Sequence, residues 1–351
     1  MSARFLIGDT NGTGRGAHLS VWQETARPHH AYPGAMGHTA LMLSALATSA
    51  VPGFQAVSAQ TLSSAEKDAA LVHDVNQAAW LIELPTSGNA EKAHQQSLQA
   101  MRALSEGLRS RLSFLVPRLA GTTEVGPYTL SVSEYLPGQA PSVKQVTPIV
   151  AASIGHALAE IHQLPTSSLA DYDRPRHSPL DSLRECAGIV DRLAGQGLIP
   201  QSLLRRWETA CEDASLWQFE STVIHGLMAL NQILVEGEKV VAIDQWRDFR
   251  GGDPAKDLAW LTTPASQSFA GSVHTAYLSA RPSSDRWIMQ RARFYAELDV
   301  AKWLLHGMDS GNQTIVDDAT GMLQALNDRV SGDMDQALTQ PISQAKHPLE
   351  N

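Results

Sequence analysis

Residues whose types could do chemistry gather in one stretch, VIHGLMALNQILVEGEKVVAIDQW, Val223 to Trp246, which sets His225, Asn231, Gln232 and Asp244 around two short apolar runs. Imidazole and carboxylate groups support proton transfer when held within hydrogen-bond reach of a substrate. A His-Gly pair is nevertheless more often a structural turn, and His225 is expected to order its loop. Other groupings are weaker. His156 and Glu160 lie four apart on one helical face, but no third metal ligand is near them. Asp181, Glu185 and Glu212 suit an acidic pocket or a solvated helix face equally well. Cys186 and Cys211 lack the paired spacing of a zinc site or a disulfide framework.

The elements that must position the stretch fall into two groups. Thr39 can cap a short helix through Ala50, stopped by Val51-Pro52-Gly53. Strands are expected at Ala69–His73 and Ala78–Leu84, joined as a hairpin, then a helix from Ala90 to Leu104, then strands at Phe114–Pro117 and Tyr128–Tyr135. Helical spacing dominates afterwards, at Pro148–Leu164, Leu180–Leu193, Ser202–Ser215, Asp257–Leu261 and Asp285–Leu305. It is interrupted by a short hairpin, Ile233–Val235 with Val240–Ile243, whose second arm ends at Asp244. Asp253 is placed to cap the segment begun by Pro254, and Asp257 reads as a buried carboxylate that accepts backbone N–H bonds rather than as a reacting group.

Of 351 residues, 43% are hydrophobic and 18% charged, enough to bury a core in two subdomains. Lys and Arg number 27 against 36 Asp and Glu, a net charge of -9, which argues against non-specific binding of nucleic acid or anionic membrane. The longest apolar run, Ala40 to Phe54, is too short and too rich in Ala and Ser to span a bilayer, and no basic stretch just before it marks a signal peptide. A cytoplasmic location is expected. Residues 1–37, with Gly12, Gly14 and Gly16 but no flanking strand and helix, read as a flexible tail rather than a phosphate-binding loop, and Met36 is a candidate start.

In order along most of the chain, ATSAVPG (Ala47–Gly53), WLIELP (Trp80–Pro85), EYLPG (Glu134–Gly138), ALAEIHQL (Ala157–Leu164), the His225 loop, GDPAKDLAW (Gly252–Trp260) and WLLHG (Trp303–Gly307) resemble the aminoglycoside and macrolide phosphotransferase family, its macrolide branch most. The resemblance implies an α+β, protein-kinase-like two-lobed fold. It would comprise a small antiparallel-sheet N-lobe with one helix over residues 38–134, a helical C-lobe over 135–335, and a tail over 336–351. It also implies a hinge at Glu134 and Tyr135, and a cleft that takes Mg2+ with ATP or GTP.

The family loop reads H-G-D-x-x-x-x-N, where Asp accepts or orients the substrate proton and Asn holds magnesium. Here Leu227 stands at the Asp position and Gln232 at the Asn position, with Asn231 beside it; Asp244 keeps the second metal-binding position. Loss of a positioned base costs on the order of a hundred- to ten-thousand-fold in rate. Aligning Pro85 puts Glu83 at the phosphate-clamping Lys position, and the helix Glu falls near Gln95 or Ser97, so the ion pair is expected to be absent. Exchanging attraction for repulsion involves about 4 kcal/mol each way for unit charges near 4 Å at an effective dielectric of about 20. The expectation is a pseudokinase that binds no nucleotide tightly and is kept as a binding module for a macrolide- or aminoglycoside-like small molecule or a protein partner. Two alternatives stay open: an active small-molecule kinase with Asp248 as a replacement base, and a module that sequesters the antibiotic.

Overall fold

In the computed structural model of the chain, the described residues are 7–9, 15–17, 37–167, 169, 174–331 and 337–339. Most of the 1–37 and 336–351 segments therefore lies outside the described residues. Within the first, β1 (Ile7–Asp9) pairs antiparallel with β2 (Arg15–Ala17).

Helix α1 (Ala40–Ala50) begins where expected, with Thr39 Oγ1 accepting the Met42 N–H at 3.3 Å. It covers one face of a five-stranded antiparallel sheet of order β3-β4-β5-β7-β6. The strands are β3 (Ala56–Thr61), β4 (Lys67–Asp74), β5 (Ala79–Pro85), β6 (Leu119–Val125) and β7 (Tyr128–Glu134). Because side chains alternate along a strand, Ala70, Val72, Ile82, Leu84, Leu130 and Val132 all reach the α1 face and form its core with Leu43 and Ala47. The intervening residues, Lys67, Ala69, Glu83, Ser131 and Ser133, point to the opposite face.

That opposite face receives α2 (Gly88–Ala103), whose Gln95 donates to Thr129 Oγ1 at 2.7 Å. The last turn of α2 belongs to a different body. Ala100, Ala103, Leu104, α3 (Glu106–Arg109), Phe114 and Val116 join the large core of the helical lobe. Arg109 fastens this connector by donating to the carbonyls of Met101, Leu104, Val116 and Pro117. Phe114–Pro117 is not the strand expected: only Leu115 bridges, to Ala242, because Arg109 has already taken two of its neighbours' carbonyls.

The helical lobe holds α4 (Pro148–His162), α5 (Pro179–Ala194), α6 (Gln201–Glu212), α7 (Ala270–Ala280), α8 (Ile288–Asp309) and α9 (Gln313–Val330). Between α6 and α7 lie two small antiparallel pairs, β8 (Thr222–Ile224) with β11 (Arg250–Gly252), and β9 (Ile233–Glu236) with β10 (Lys239–Ile243). Asp257–Leu261, expected as helix, lies in a 3-10 segment, Pro254–Thr262. Its cap, Asp253, accepts the Ala255 N–H and also forms a fully buried pair with Arg291 at 2.6 Å, joined by the Tyr295 hydroxyl. Among the described residues no helix is long and apolar enough to cross a membrane.

Candidate functional site

The loop after β8 is held from below. His225 is wholly buried, and its Nε2–H donates to the Asp244 carbonyl at 2.8 Å while Nδ1 accepts the Leu227 N–H at 3.4 Å. Burial pushes the ring's pKa down, so it is neutral, in the tautomer these partners require. Asp257, also fully buried, accepts the His225 and Gly226 N–H groups, each at 2.7 Å. It further accepts His162 Nε2–H at 3.1 Å, and the chain continues through the Tyr277 hydroxyl to Arg281. Burial alone would raise the Asp257 carboxyl; its bond from His162 and the neighbouring imidazoles and N–H groups hold it below the usual range. Gly226 has φ +87°, and a Cβ there would sit 2.5 Å from Asp248 Oδ2, so both conformation and space demand glycine.

On this framed loop the side chain after Gly226 is apolar. Leu227 projects outward, 39% exposed, while Met228 is buried in the core beneath. Gln232 is buried and its Oε1 accepts the Ala229 N–H at 3.0 Å, closing the loop on itself. The amide oxygen that stood as a metal donor is thus already engaged in loop closure, and Asn231 beside it is half-buried. Asp244 follows β10 and accepts the N–H of Gln245, which adopts the left-handed conformation at φ 61°. Burial pushes the Asp244 carboxyl up, Glu83 adds to the rise, and Lys67 opposes it. Asp248, against Gly226, is paired with Arg250 at 3.2 Å and is likewise pushed up by burial.

The sheet side holds an ion pair of a different kind from the strand-to-helix pair expected to be absent. Glu83 is on β5 as aligned, but Lys67, from the adjacent strand β4, bonds it at 2.9 Å. Burial would raise the Glu83 carboxyl; the Lys67 charge and hydrogen bond outweigh it and hold the carboxyl low. The expected repulsion from a bare carboxylate is therefore removed. Neither Gln95 nor Ser97 faces this pair: Gln95 bonds Glu91 and Thr129, and Ser97 bonds the Ala93 carbonyl. The α2 residue whose charge state couples to Glu83 and Lys67 is His94, 1% exposed, with no hydrogen-bond partner for either ring nitrogen among the described residues. Burial pushes its pKa down. The acid one turn earlier, Glu91, is spent on Thr129 N–H and hydroxyl. Lys67 was not found from sequence because its role depends on the β4–β5 register, in which Ala69 faces Glu83 and Lys67 faces Pro85.

At the end of β7, Glu134 N–H donates to the Arg118 carbonyl and Tyr135 N–H to the Ala79 carbonyl, so the N–H groups of both residues expected at a hinge are taken; Tyr135 is 41% exposed. Among the described residues no cluster of three or more His, Cys, Asp or Glu could hold a metal ion. Asp244 alone fits magnesium in the manner of an ion carried largely by substrate phosphates, which needs only one or two protein carboxylates. Glu160 accepts from Ser113 and shares nothing with His156. The supposed acidic face is dispersed: Asp181 caps α5 through Ser178, Glu185 pairs with Lys256 at 2.8 Å, and Glu212 is exposed at the end of α6.

The family model of the phosphotransferase enzyme family matches residues 58–295. Among curated proteins none matches. Among solved structures, the chain is similar to the macrolide 2'-phosphotransferase MphH from Brachybacterium faecium, at TM-score 0.67 and 18% identity over 81% of this chain and 97% of that one. A macrolide 2'-phosphotransferase type I gives TM-score 0.64 and 21% identity over 82% and 99%. The GDP and kanamycin complex of APH(2")-IIia gives TM-score 0.65 and 14% identity over 84% and 100%. The two-lobed, kinase-like α+β fold is common to all three.

Proposed function

The chain belongs to the phosphotransferase enzyme family, and from that premise we propose that it binds a small molecule in the interlobe cleft without efficient phosphoryl transfer. The observation that carries this reading is Leu227: the loop frame of His225, Gly226 and Asp257 is intact, yet the side chain at position 227 is an exposed isobutyl group. Leucine neither accepts a proton nor orients a hydroxyl. Of the two carboxylates that follow the hairpin among the described residues, Asp248 is paired with Arg250 and Asp244 accepts the Gln245 N–H through Oδ1. This reading takes its ligand class from the names of similar structures, a macrolide 2'-phosphotransferase and a complex with GDP and kanamycin. A net charge of -9 suits cationic amino sugars. The place of action in this reading is the cytoplasm, where the two free cysteines stay reduced.

A second reading, an active small-molecule kinase with a rearranged site, draws on Asp248, which lies against Gly226 one residue from the vacant position. Mass spectrometry separates the two. Incubated with Mg2+, ATP or GTP and panels of macrolides and aminoglycosides, the protein should leave every compound at its starting mass, while at least one compound raises its thermal midpoint. A gain of one phosphate that Asp244→Ala abolishes would establish the second reading instead.

A further inference from the structure

We propose that the seam between α5 and the β8–β11 pair is a binding site for an oxyanion, a carboxylate or phosphate group, received by His177, Ser182, Thr222 and Arg250. The seam lies within the helical lobe, behind Asp248. It goes beyond the function proposed above and does not depend on what the interlobe cleft binds or transfers.

The four side chains meet because two strand pairings aim them one way. In the β8–β11 ladder Thr222 faces Gly252 and Ile224 faces Arg250, so Thr222 and Arg250 share a face. Arg176 bridges Gly251 in parallel and takes the other face, where a Cβ at Gly251 would sit 3.2 Å from Arg176 Cγ. His177, one residue further on and bonded through its N–H to the Gly251 carbonyl, therefore turns to the Arg250 side. There it meets α5. His177 Nδ1 lies 3.8 Å from Glu185 Oε2, and Ser182 is one turn before Glu185 on the same helix face.

At this seam four buried polar atoms, His177 Nδ1, Ser182 Oγ, Thr222 Oγ1 and Arg250 Nε, have no hydrogen-bond partner among the described residues. Ser182 is 1% and Thr222 6% exposed. Buried polar groups are as a rule paired, because an unpaired one loses its hydration with nothing in return. Arg250 Nε–H can only donate, both hydroxyls can donate, and an imidazole with its proton on Nδ1 donates too. Only an occupant made of acceptors lets all four donate together, and an oxyanion is that occupant.

The charges agree. Asp248 pairs with Arg250 at 3.2 Å and Glu185 with Lys256 at 2.8 Å, while Arg174, bonded to the Phe249 and Arg247 carbonyls, adds a third cation beside two carboxylates. At the border Asp181 pairs with Arg184 and Lys302 with Asp299. Entry is at His177 and Glu185, whose side chains are 32% and 35% exposed and whose 3.8 Å separation is too long for a hydrogen bond, so no bond between them fastens α5 down. An anion on Arg250 Nε leaves the Nη1 contact with Asp248 in place. Because Asp248 packs against Gly226, an occupied seam steadies the loop that carries Leu227.

Thermal midpoints of the full chain in inorganic phosphate, sulfate or acetate, each against chloride at equal ionic strength, test this. At least one of the three should raise the midpoint to a plateau, and which one does so tells phosphate from carboxylate chemistry. Arg250→Gln should raise the dissociation constant of that anion, read by isothermal titration, at least about tenfold, the loss of one charge-assisted hydrogen bond. Thr222→Val and Ser182→Ala each remove an unpaired group, so they should keep or raise the midpoint in chloride while weakening the response to the anion. Should Arg250→Gln unfold, those two variants decide. A response that climbs with salt without a plateau is exclusion of the salt from the surface and overturns the proposal. Equal anion binding by wild type and Thr222→Val overturns it as well, and so does a chloride midpoint lowered by both hydroxyl replacements, since the hydroxyls would then be paired within the fold.

Discussion

On the function proposed above, placing a carboxylate at 227 by Leu227→Asp should convert the protein into a measurable phosphotransferase. Leu227 is 39% exposed, so the substitution opens no core cavity, and folding stability should change by no more than about 0.5 kcal/mol. The frame is already built: Leu227 N–H rests on His225 Nδ1, and the imidazole's other nitrogen holds the Asp244 carbonyl. The introduced group would lie near Asp244 and Asp248, whose charges push its pKa upward, toward the range in which a general base works. A positioned base is worth about a hundred- to ten-thousand-fold, or about 3–5 kcal/mol of barrier. Single-turnover phosphate transfer to the compound that best shifts the thermal midpoint would reveal such a gain over wild type. A variant that still binds magnesium nucleotide and that compound but transfers no faster than wild type would refute the reasoning that Leu227 is the missing group.

Asp257→Asn should cost about 3 kcal/mol, because a buried charge serving two backbone N–H groups and His162 is replaced by an amide that turns a donor toward one of them; urea midpoints at constant m-value would register it. Stability should also fall on mild acidification. His94, His162 and His225 are pushed down by burial, so the unfolded chain takes up their protons below about pH 6.5 while the folded one resists, a slope of up to about 1.4 kcal/mol per pH unit for each. Asp257 and Glu83, held low, add stability that is present above their unfolded values near 4 and lost as pH falls through the folded ones. Asp244 and Asp248, pushed up, oppose the trend. Denaturation midpoints that stay level from pH 7.5 to 5.5 would contradict the balance drawn here.

The His225-Gly226 turn and the Asp253 cap were legible because they are local, carried by residue type and short spacing, and α1 announces itself through Thr39. Asp257 is 32 residues from His225 and was legible through its place in the family motif GDPAKDLAW, not through locality. Long-range pairing was not legible. Lys67 and Glu83 are 16 residues apart and meet only through a sheet register, while an alignment anchored on Pro85 sees one strand at a time. β3 and β6 passed unread because they are the two edges of the sheet, where mixed polar sequences such as AVSAQT need no apolar alternation. α7 was hidden by its small residues, although those are what it needs: it crosses α4 so closely at Gly155 that a Cβ there would overlap the Val273 carbonyl.

Helix α2 has its first turns on the sheet and its last in the other lobe's core, where Arg109 gathers four carbonyls around the connector. It therefore acts as a strut. Swinging the sheet away from the helices would pull Ala100, Ala103 and Leu104 out of their packing, which makes a wide opening expensive and sets the aperture of the cleft before anything enters. A ligand would be chosen by its fit to a gap of fixed width, and affinity would depend little on any closing motion.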